Sequence, residues 1–143
     1  MIKEEYTFST DKSKLDFEVI HQYLSGESYW AKGISRDILK RSLENSMCFG
    51  VYKDNEQVGF ARIISDKATF AYLADVFVVS EHRGKGLSKM LMQHIVDHPE
   101  LQGLRRWLLG TADAHGLYAR YGFKPLAKPE RTMEKHDPDI YKR

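Results

Sequence analysis

The sequence predicts an α+β fold, and three observations carry that reading. Residues 48–79 contain three successive strand-like runs with short polar connectors between them. Helical spacing occupies both flanks of that block. One stretch joins the two kinds of pattern: Val76-Phe77-Val78-Val79-Ser80-Glu81-His82-Arg83-Gly84-Lys85-Gly86-Leu87-Ser88 passes from a β-branched run through a glycine loop into a helix. The core-facing side of that helix is predicted at Leu87, Met90, Leu91, His94 and Ile95, one face at helical spacing, with Ser88, Lys89, Gln93 and Asp97 elsewhere.

The remaining elements follow in order. Lys3–Thr10 alternates Tyr6 and Phe8 with polar neighbours and predicts a first strand. Leu15, Val19, Ile20 and Tyr23 predict a helix that ends before Gly26. Ser35 is placed to cap a second helix with Ile38, Leu39 and Leu43 on its apolar side. Cys48–Lys53, Gln57–Ser65 and Thr69–Val79 then form an antiparallel meander with hairpin connectors at Lys53–Glu56 and Ser65–Ala68. Asp97-His98-Pro99 stops the loop helix, and Arg105–Gly110 is a short strand. Ala114, Leu117, Tyr118 and Tyr121 mark a last helix over Asp113–Tyr121, which Gly122 terminates. Phe123-Lys124-Pro125 starts a new segment, and Arg131–Lys135 is expected to add a final edge strand.

Composition excludes several classes. A chain of 143 residues fits one domain spanning 1–143. Its net charge of +2, with no basic block, argues against a nucleic-acid partner. Its apolar runs are too short for a membrane span. Met1-Ile2-Lys3-Glu4-Glu5 lacks the apolar core of a signal peptide, and the single cysteine, Cys48, forms no internal disulfide. A cytoplasmic location is therefore expected, with Cys48 a buried small hydrophobe. No metal is implied: His94 and His98 are four apart, but no Glu follows His94.

The glycine loop is the first chemical signal. A helix start leaves backbone N–H groups without partners and carries partial positive charge. Gly84 and Gly86 open those donors to an anion, and Arg83 and Lys85 add full charges beside them. The spacing fits neither a P-loop nor a dinucleotide fingerprint. Arg83-Gly84-Lys85-Gly86-Leu87-Ser88 instead resembles the acyl-coenzyme A loop of the GNAT superfamily of N-acetyltransferases, with Ser80 where a Pro often stands and Ser88 in place of the last Gly/Ala. A second motif, Thr111-Ala112-Asp113-Ala114-His115-Gly116-Leu117-Tyr118-Ala119-Arg120-Tyr121-Gly122-Phe123, is similar to that superfamily's Asn-x-x-Ala-x-x-Leu-Tyr-x-x-x-Gly-Phe, with Thr111 in the Asn position. The two motifs cover roughly residues 76–123. The element order β-α-α-β-β-β-α-β-α-β extends the resemblance over most of the chain.

The resemblance implies a GNAT fold: a mixed, mostly antiparallel twisted sheet of six to seven strands flanked by about four helices. It implies acetyl-CoA as co-substrate, held by Phe77 and Val78 through their backbone, by Arg83, Gly84, Lys85, Gly86, Leu87 and Ser88, and by Tyr121. It implies acetyl transfer to a primary amine of a small molecule, such as an amino acid or related metabolite, by direct attack in a ternary complex. An amine of pKa about 10 is roughly 0.1% neutral at pH 7, a penalty of ~4 kcal/mol, so deprotonation is part of the task. The leaving thiolate needs a proton, and a tyrosine stays protonated at pH 7. By the resemblance Tyr118 is that acid. Asp75, a carboxylate in an apolar strand, is a candidate to take the amine's proton or to bind the ammonium; His115 competes as a base. Glu27-Ser28-Tyr29-Trp30, between Gly26 and Gly33, is the candidate acceptor wall, with Tyr29 and Trp30 as its aromatic lid, and Arg62 is a candidate for a substrate carboxylate. Arg105-Arg106 reads as a solvated strand start or a contact to the nucleotide 3′-phosphate. A homodimer is possible by analogy. The alternatives are acetylation of a protein N-terminus or lysine, and a non-catalytic acyl-CoA sensor, which the presence of Tyr118 disfavours.

Overall fold

The structure, a computed structural model, describes residues 5–142. In chain order its elements are β1 (Thr7–Ser9), α1 (Phe17–Gln22), α2 (Arg36–Glu44), β2 (Met47–Lys53), β3 (Glu56–Ser65), β4 (Phe70–Val78), α3 (Leu87–Val96), β5 (Arg106–Leu109) and α4 (His115–Ala119). Among the described residues the strands make one five-stranded sheet in the order β1-β2-β3-β4-β5. Neighbours are antiparallel as far as β4, and β5 joins it in parallel.

Local chemistry accounts for the element ends. Asp16 caps α1 by accepting the backbone N–H groups of Glu18 and Val19 at 3.1 and 3.2 Å. Ser35 caps α2 through the N–H of Ile38. The β2–β3 hairpin turns on Asp54 and Asn55, both at positive φ, as a two-residue turn requires. Between β3 and β4 the Asp66 carboxylate accepts the Thr69 hydroxyl and the N–H groups of Ala68, Thr69 and Phe70. Those bonds, the Thr69 hydroxyl foremost, hold its carboxyl well below the usual carboxylate range.

Two cores lie on opposite faces of the sheet. One gathers Phe49, Val51, Ile63, Ala71, Leu73 and Val78 beneath Leu87, Leu91, Met92 and Ile95 of α3 and Tyr118 of α4. The other packs Cys48, Phe60 and Phe77 against Ile20, Leu24, Leu39 and Leu43 from the early helices. Cys48 is buried as expected, and burial pushes its thiol pKa up.

Six details differ from the sequence expectation. The sheet has five strands among the described residues, not six to seven. Arg131–Lys135 forms no strand: Pro129–Arg131 is a 3-10 turn, and the one large apolar side chain that follows, Met133, is 94% exposed. Nothing in that run gains by burial, and Pro125, Pro129 and Pro138 remove ladder donors around it. The first helix does not stop before Gly26; it widens into a π-helical turn over Tyr23–Glu27, closed by the Ser28 N–H on the Tyr23 carbonyl. The buried stripe of α3 is Leu87, Leu91, Met92 and Ile95, while Met90 and His94 are exposed. His94 stacks on Phe8 instead, with ring centroids 4.3 Å apart. α4 is shorter than Asp113–Tyr121: it starts after Ala114, and in the turn before it the Thr111 hydroxyl accepts the Ala114 N–H at 3.0 Å. The first strand is confined to Thr7–Ser9; Lys3 and Glu4 lie outside the described residues.

One buried group invites a stability test. The Tyr52 hydroxyl is buried with no hydrogen-bond partner, and a Cβ on Gly50 would sit 2.3 Å from it. Burial pushes the Tyr52 pKa from 10.0 to about 12. The folded state thus favours the protonated phenol, and that contribution is lost as pH rises from about 10 through about 12. Tyr52→Phe is expected to raise stability by about 1 kcal/mol, since it removes an unsatisfied buried polar atom. Its advantage should widen above pH 10. Gly50→Ala should cost about 1–3 kcal/mol by overpacking. Thermal melts against pH measure all three effects.

Candidate active site

β4 and β5 pair only through Phe70↔Arg106 to Leu73↔Leu109. Beyond that point β4 continues to Val78 while β5 ends, so the two backbones part. A cavity of about 880 Å³ occupies the opening. Leu73 to Val78 line one side and Leu109 to Ala114 the other, with Tyr118 also on its wall. The early helices and their linker contribute Tyr23, Glu27, Tyr29, Trp30 and Ile38, and the C-terminal segment adds His136 and Tyr141.

An extra residue in β4 sets the geometry. Two steps along β3, from Phe60 to Arg62, face three steps along β4, from Phe77 back to Ala74. Asp75 sits in that bulge at φ 55°, a conformation few non-glycine residues adopt. The insertion inverts the alternation of the strand. Ala71 and Leu73 face the α3 side, and so does Val78, although it lies an odd five positions on from Leu73. Phe77 turns to the opposite core, where it stacks on Tyr23 at 4.1 Å.

Both Asp75 oxygens are engaged. Arg62 Nε donates to Oδ2 at 2.7 Å, and the Trp30 indole Nε1 donates to Oδ1 at 2.7 Å. The pair is nearly dry, with side chains 16% and 9% exposed. Arg62 Nη1 also donates to the Ser46 hydroxyl at 3.1 Å. Arg62 does point inward, but the carboxylate it meets is the protein's own. Tyr29, 61% exposed, accepts the Ala112 N–H on its hydroxyl at 2.9 Å, and its ring stands edge-on to Trp30 at 5.0 Å. The two aromatics therefore bridge the cavity mouth, Trp30 to β4 and Tyr29 to the loop after β5. Ser28 behind them is buried and structural: its hydroxyl donates to the Leu24 carbonyl and accepts the Ala31 N–H.

The glycine turn stands at one end of the opening. Gly84 and Gly86 have φ of 79° and 78°, and a Cβ on either would meet no protein atom within 4 Å. Their Cα faces are open to the outside, and Gly86 caps α3 without any side-chain bond. Leu87 is buried as the first anchor of α3, Lys85 is exposed on the turn, and Ser88 reaches the cavity wall. Arg83 is turned inward: its Nε donates to the Val78 carbonyl at 2.9 Å and its Nη2 to the Tyr23 hydroxyl at 3.0 Å. It thus braces the strand end against the π-helical turn while lining the cavity.

Tyr118 is 8% exposed, and among the described residues nothing hydrogen-bonds its hydroxyl. Burial pushes its pKa above 10.0, and Tyr29 and Asp113 add to the rise. Tyr121 is placed elsewhere: its hydroxyl donates to the Lys89 carbonyl at 2.7 Å, and it lines a second cavity of about 520 Å³ beyond β5, together with Arg105 and Arg106. His115 is exposed and lines neither cavity. Residues that sequence reasoning passed over are Tyr23, Ile38, Asp113, His136 and Tyr141. Only Asp113 carried a signal, its place two residues after Thr111 in the second motif.

A turn with open main-chain donors, a splayed strand pair and a buried, unbonded tyrosine on the α4 wall define the site. The family model for the Acetyltransferase (GNAT) family matches residues 17–123. The chain belongs to that family. It is an acyltransferase by that membership. A candidate GNAT acetyltransferase from Xanthomonas campestris pv. campestris, known from a crystal structure, superposes with a TM-score of 0.97 at 52% identity, covering 99% of each chain. A candidate acetyltransferase of Gibberella zeae, FG08082, is 33% identical over 138 residues, spanning 81% of this chain and 77% of that one. A GNAT family acetyltransferase from Elizabethkingia anophelis, solved with acetyl-CoA bound, shares the fold with a TM-score of 0.64 at 14% identity, over 85% of this chain and 78% of that one. GNAT family members use acetyl-CoA. No described helix is long and apolar enough to cross a membrane.

The Arg62–Asp75 pair is open to a direct test. Arg62→Met leaves a nearly dry carboxylate with Trp30 as its one remaining partner, and breaking such a pair costs about 3–5 kcal/mol. Arg62→Met with Asp75→Asn should recover much of that loss. Chemical denaturation of the two variants against the parent measures it.

Proposed function

We propose that this protein transfers the acetyl group of acetyl-CoA to a primary amine of a small molecule, by direct attack in a ternary complex. The observation that carries the proposal is Tyr118: a nearly buried phenol, without a hydrogen-bond partner, on the wall of the cavity where β4 and β5 part. The residues fit the coenzyme. The outward Cα faces of Gly84 and Gly86 leave room for a diphosphate against the first N–H groups of α3. Lys85 and Ser88 flank that seat, and the unpaired edge of β4 at Phe77 and Val78 offers main-chain groups to an extended pantetheine arm.

Acetyl-CoA, when bound, supplies the acyl thioester. The protein's own groups do the rest. Asp75 uses two of a carboxylate's roughly four acceptor positions on Arg62 and Trp30, which leaves it able to accept an N–H of the incoming ammonium. The amine loses its proton toward that carboxylate and the open cavity. Its nitrogen then forms the C–N bond as the C–S bond breaks. The Tyr118 hydroxyl gives its proton to the departing sulfur and is reprotonated, through solvent, by the second proton that the acylated nitrogen sheds, so from the ammonium ion the net products are amide, thiol and one proton. A raised phenol pKa keeps Tyr118 protonated through the neutral range, where an acid is needed.

Tyr118→Phe is expected to lower kcat by about 10²–10⁴-fold, the contribution typical of a positioned acid. The affinity for acetyl-CoA, read by calorimetry, should be retained. In the parent enzyme the alkaline fall in kcat assigned to this acid should lie above pH 10 and be missing from the variant. Unchanged turnover would remove Tyr118 from the reaction. Separately, Gly86→Val forces a β-branched residue to φ near 78°. Holding the turn then costs about 1–2 kcal/mol, and coenzyme A should bind roughly tenfold more weakly.

A further inference from the structure

The charges on the cavity wall are unequally paired. Arg62 is neutralised by Asp75 and also bonds Ser46, whereas Arg83, beside the glycine turn, bonds only the neutral Val78 carbonyl and Tyr23 hydroxyl. Two wall carboxylates, Glu27 and Asp113, make no salt bridge or side-chain hydrogen bond among the described residues. Both adjoin Tyr29, at its two ends. The Tyr29 hydroxyl is bonded to the N–H of Ala112, next to Asp113, and Glu27 is two residues before Tyr29. Between them stand the Tyr29 and Trp30 rings, 61% and 40% exposed, surfaces that attract a cation through their π faces. The unbonded hydroxyl of Tyr118, a residue 8% exposed on the same wall, marks the reacting end of the cavity. Asp113 lies close enough to Tyr118 to help raise its pKa, so the carboxylate is within electrostatic reach of the reacting end.

We infer that the acceptor is a linear di- or polyamine, whose second ammonium group is held by the Asp113 and Glu27 carboxylates beside the Tyr29–Trp30 wall. This rests on the acetyl-transfer reading above and narrows it. A chain with two cationic ends presents one nitrogen to Asp75 and Tyr118 and leaves the other to the open carboxylates. An acceptor with its own carboxylate, such as an amino acid, would set that group against two acids that lack a salt-bridge partner, which disfavours it electrostatically. Asp113 and Glu27 are thus specificity-determining residues that bind the far end of the acceptor.

The test compares three four-carbon acceptors with the full chain and acetyl-CoA: 1,4-diaminobutane, n-butylamine and 4-aminobutyrate. Free thiol release gives kcat and KM for each. The expected order of kcat/KM is diamine, then monoamine, then amino acid. Asp113→Asn and Glu27→Gln should each reduce the diamine-to-amino-acid ratio by about fivefold, the scale of a partly exposed charge interaction. The reduction should fall on KM more than on kcat, because the far-end contact is the same in ground and transition states. Preference for 4-aminobutyrate or n-butylamine in the parent enzyme overturns the inference but leaves acetyl transfer standing. So do ratios unchanged in both variants. Failure of every amine while acetyl-CoA still binds by calorimetry overturns both readings.

Discussion

The site depends on one constraint: β4 and β5 hold together for four pairs and then separate. A parallel pair that stayed closed would satisfy more backbone groups but leave no space between strand and strand. The parting strands expose main-chain donors and acceptors on β4 where an extended ligand can take the place of the missing neighbour. The extra residue at Asp75 belongs to the same solution. It bends β4 and inverts its alternation, so that Val78 returns to the α3 core while Phe77 locks onto Tyr23 and Phe60 on the other side.

The strained backbone at Asp75 is held by what its side chain gathers. One carboxylate fixes a guanidinium from β3 and an indole from the linker before α2, and the guanidinium reaches on to Ser46, just before β2. Three parts of the chain far apart in sequence converge on it. Such a pair contributes little net stability over an apolar replacement, but it is costly to break and directional. Its effect is to hold Trp30 over the cavity mouth, where a purely apolar contact would let the ring slide.

Arg83 illustrates how the same loop serves fold and ligand. Its guanidinium joins the end of β4 to the π-helical turn, and the glycines beyond it are left to face outward with unhindered amides. Positive charge thus collects at the turn, and uncompensated negative charge collects at the Glu27–Asp113 side of the same cavity. An anionic cofactor and a cationic acceptor would each find their own part of it.

Much of this was legible in the sequence. The three meander strands, the glycine turn, the Ser35 cap and the apolar face of the last helix follow from local periodicity and from residue types whose backbone preferences are strong. Tyr118 could be singled out because its motif has fixed spacing. The rest depended on contacts between distant segments. A bulge at Asp75 leaves no mark on a run of apolar residues, yet it decides which side each one faces. The α3 stripe shifts from Met90 and His94 to Met92, because the sheet beneath, not the helix, determines which positions are covered. Arg62 reads as a substrate contact until its partner proves to be Asp75. The C-terminal run Arg131–Lys135 reads as a strand by continuity, but a strand needs a face to bury, and this one has none. The sequence by itself determined the elements and the chemistry they carry, because those rest on short-range sterics and hydrogen bonding. The tertiary structure alone decided which charges neutralise one another and which remain open to a ligand, because that depends on distances between residues the chain does not place next to each other.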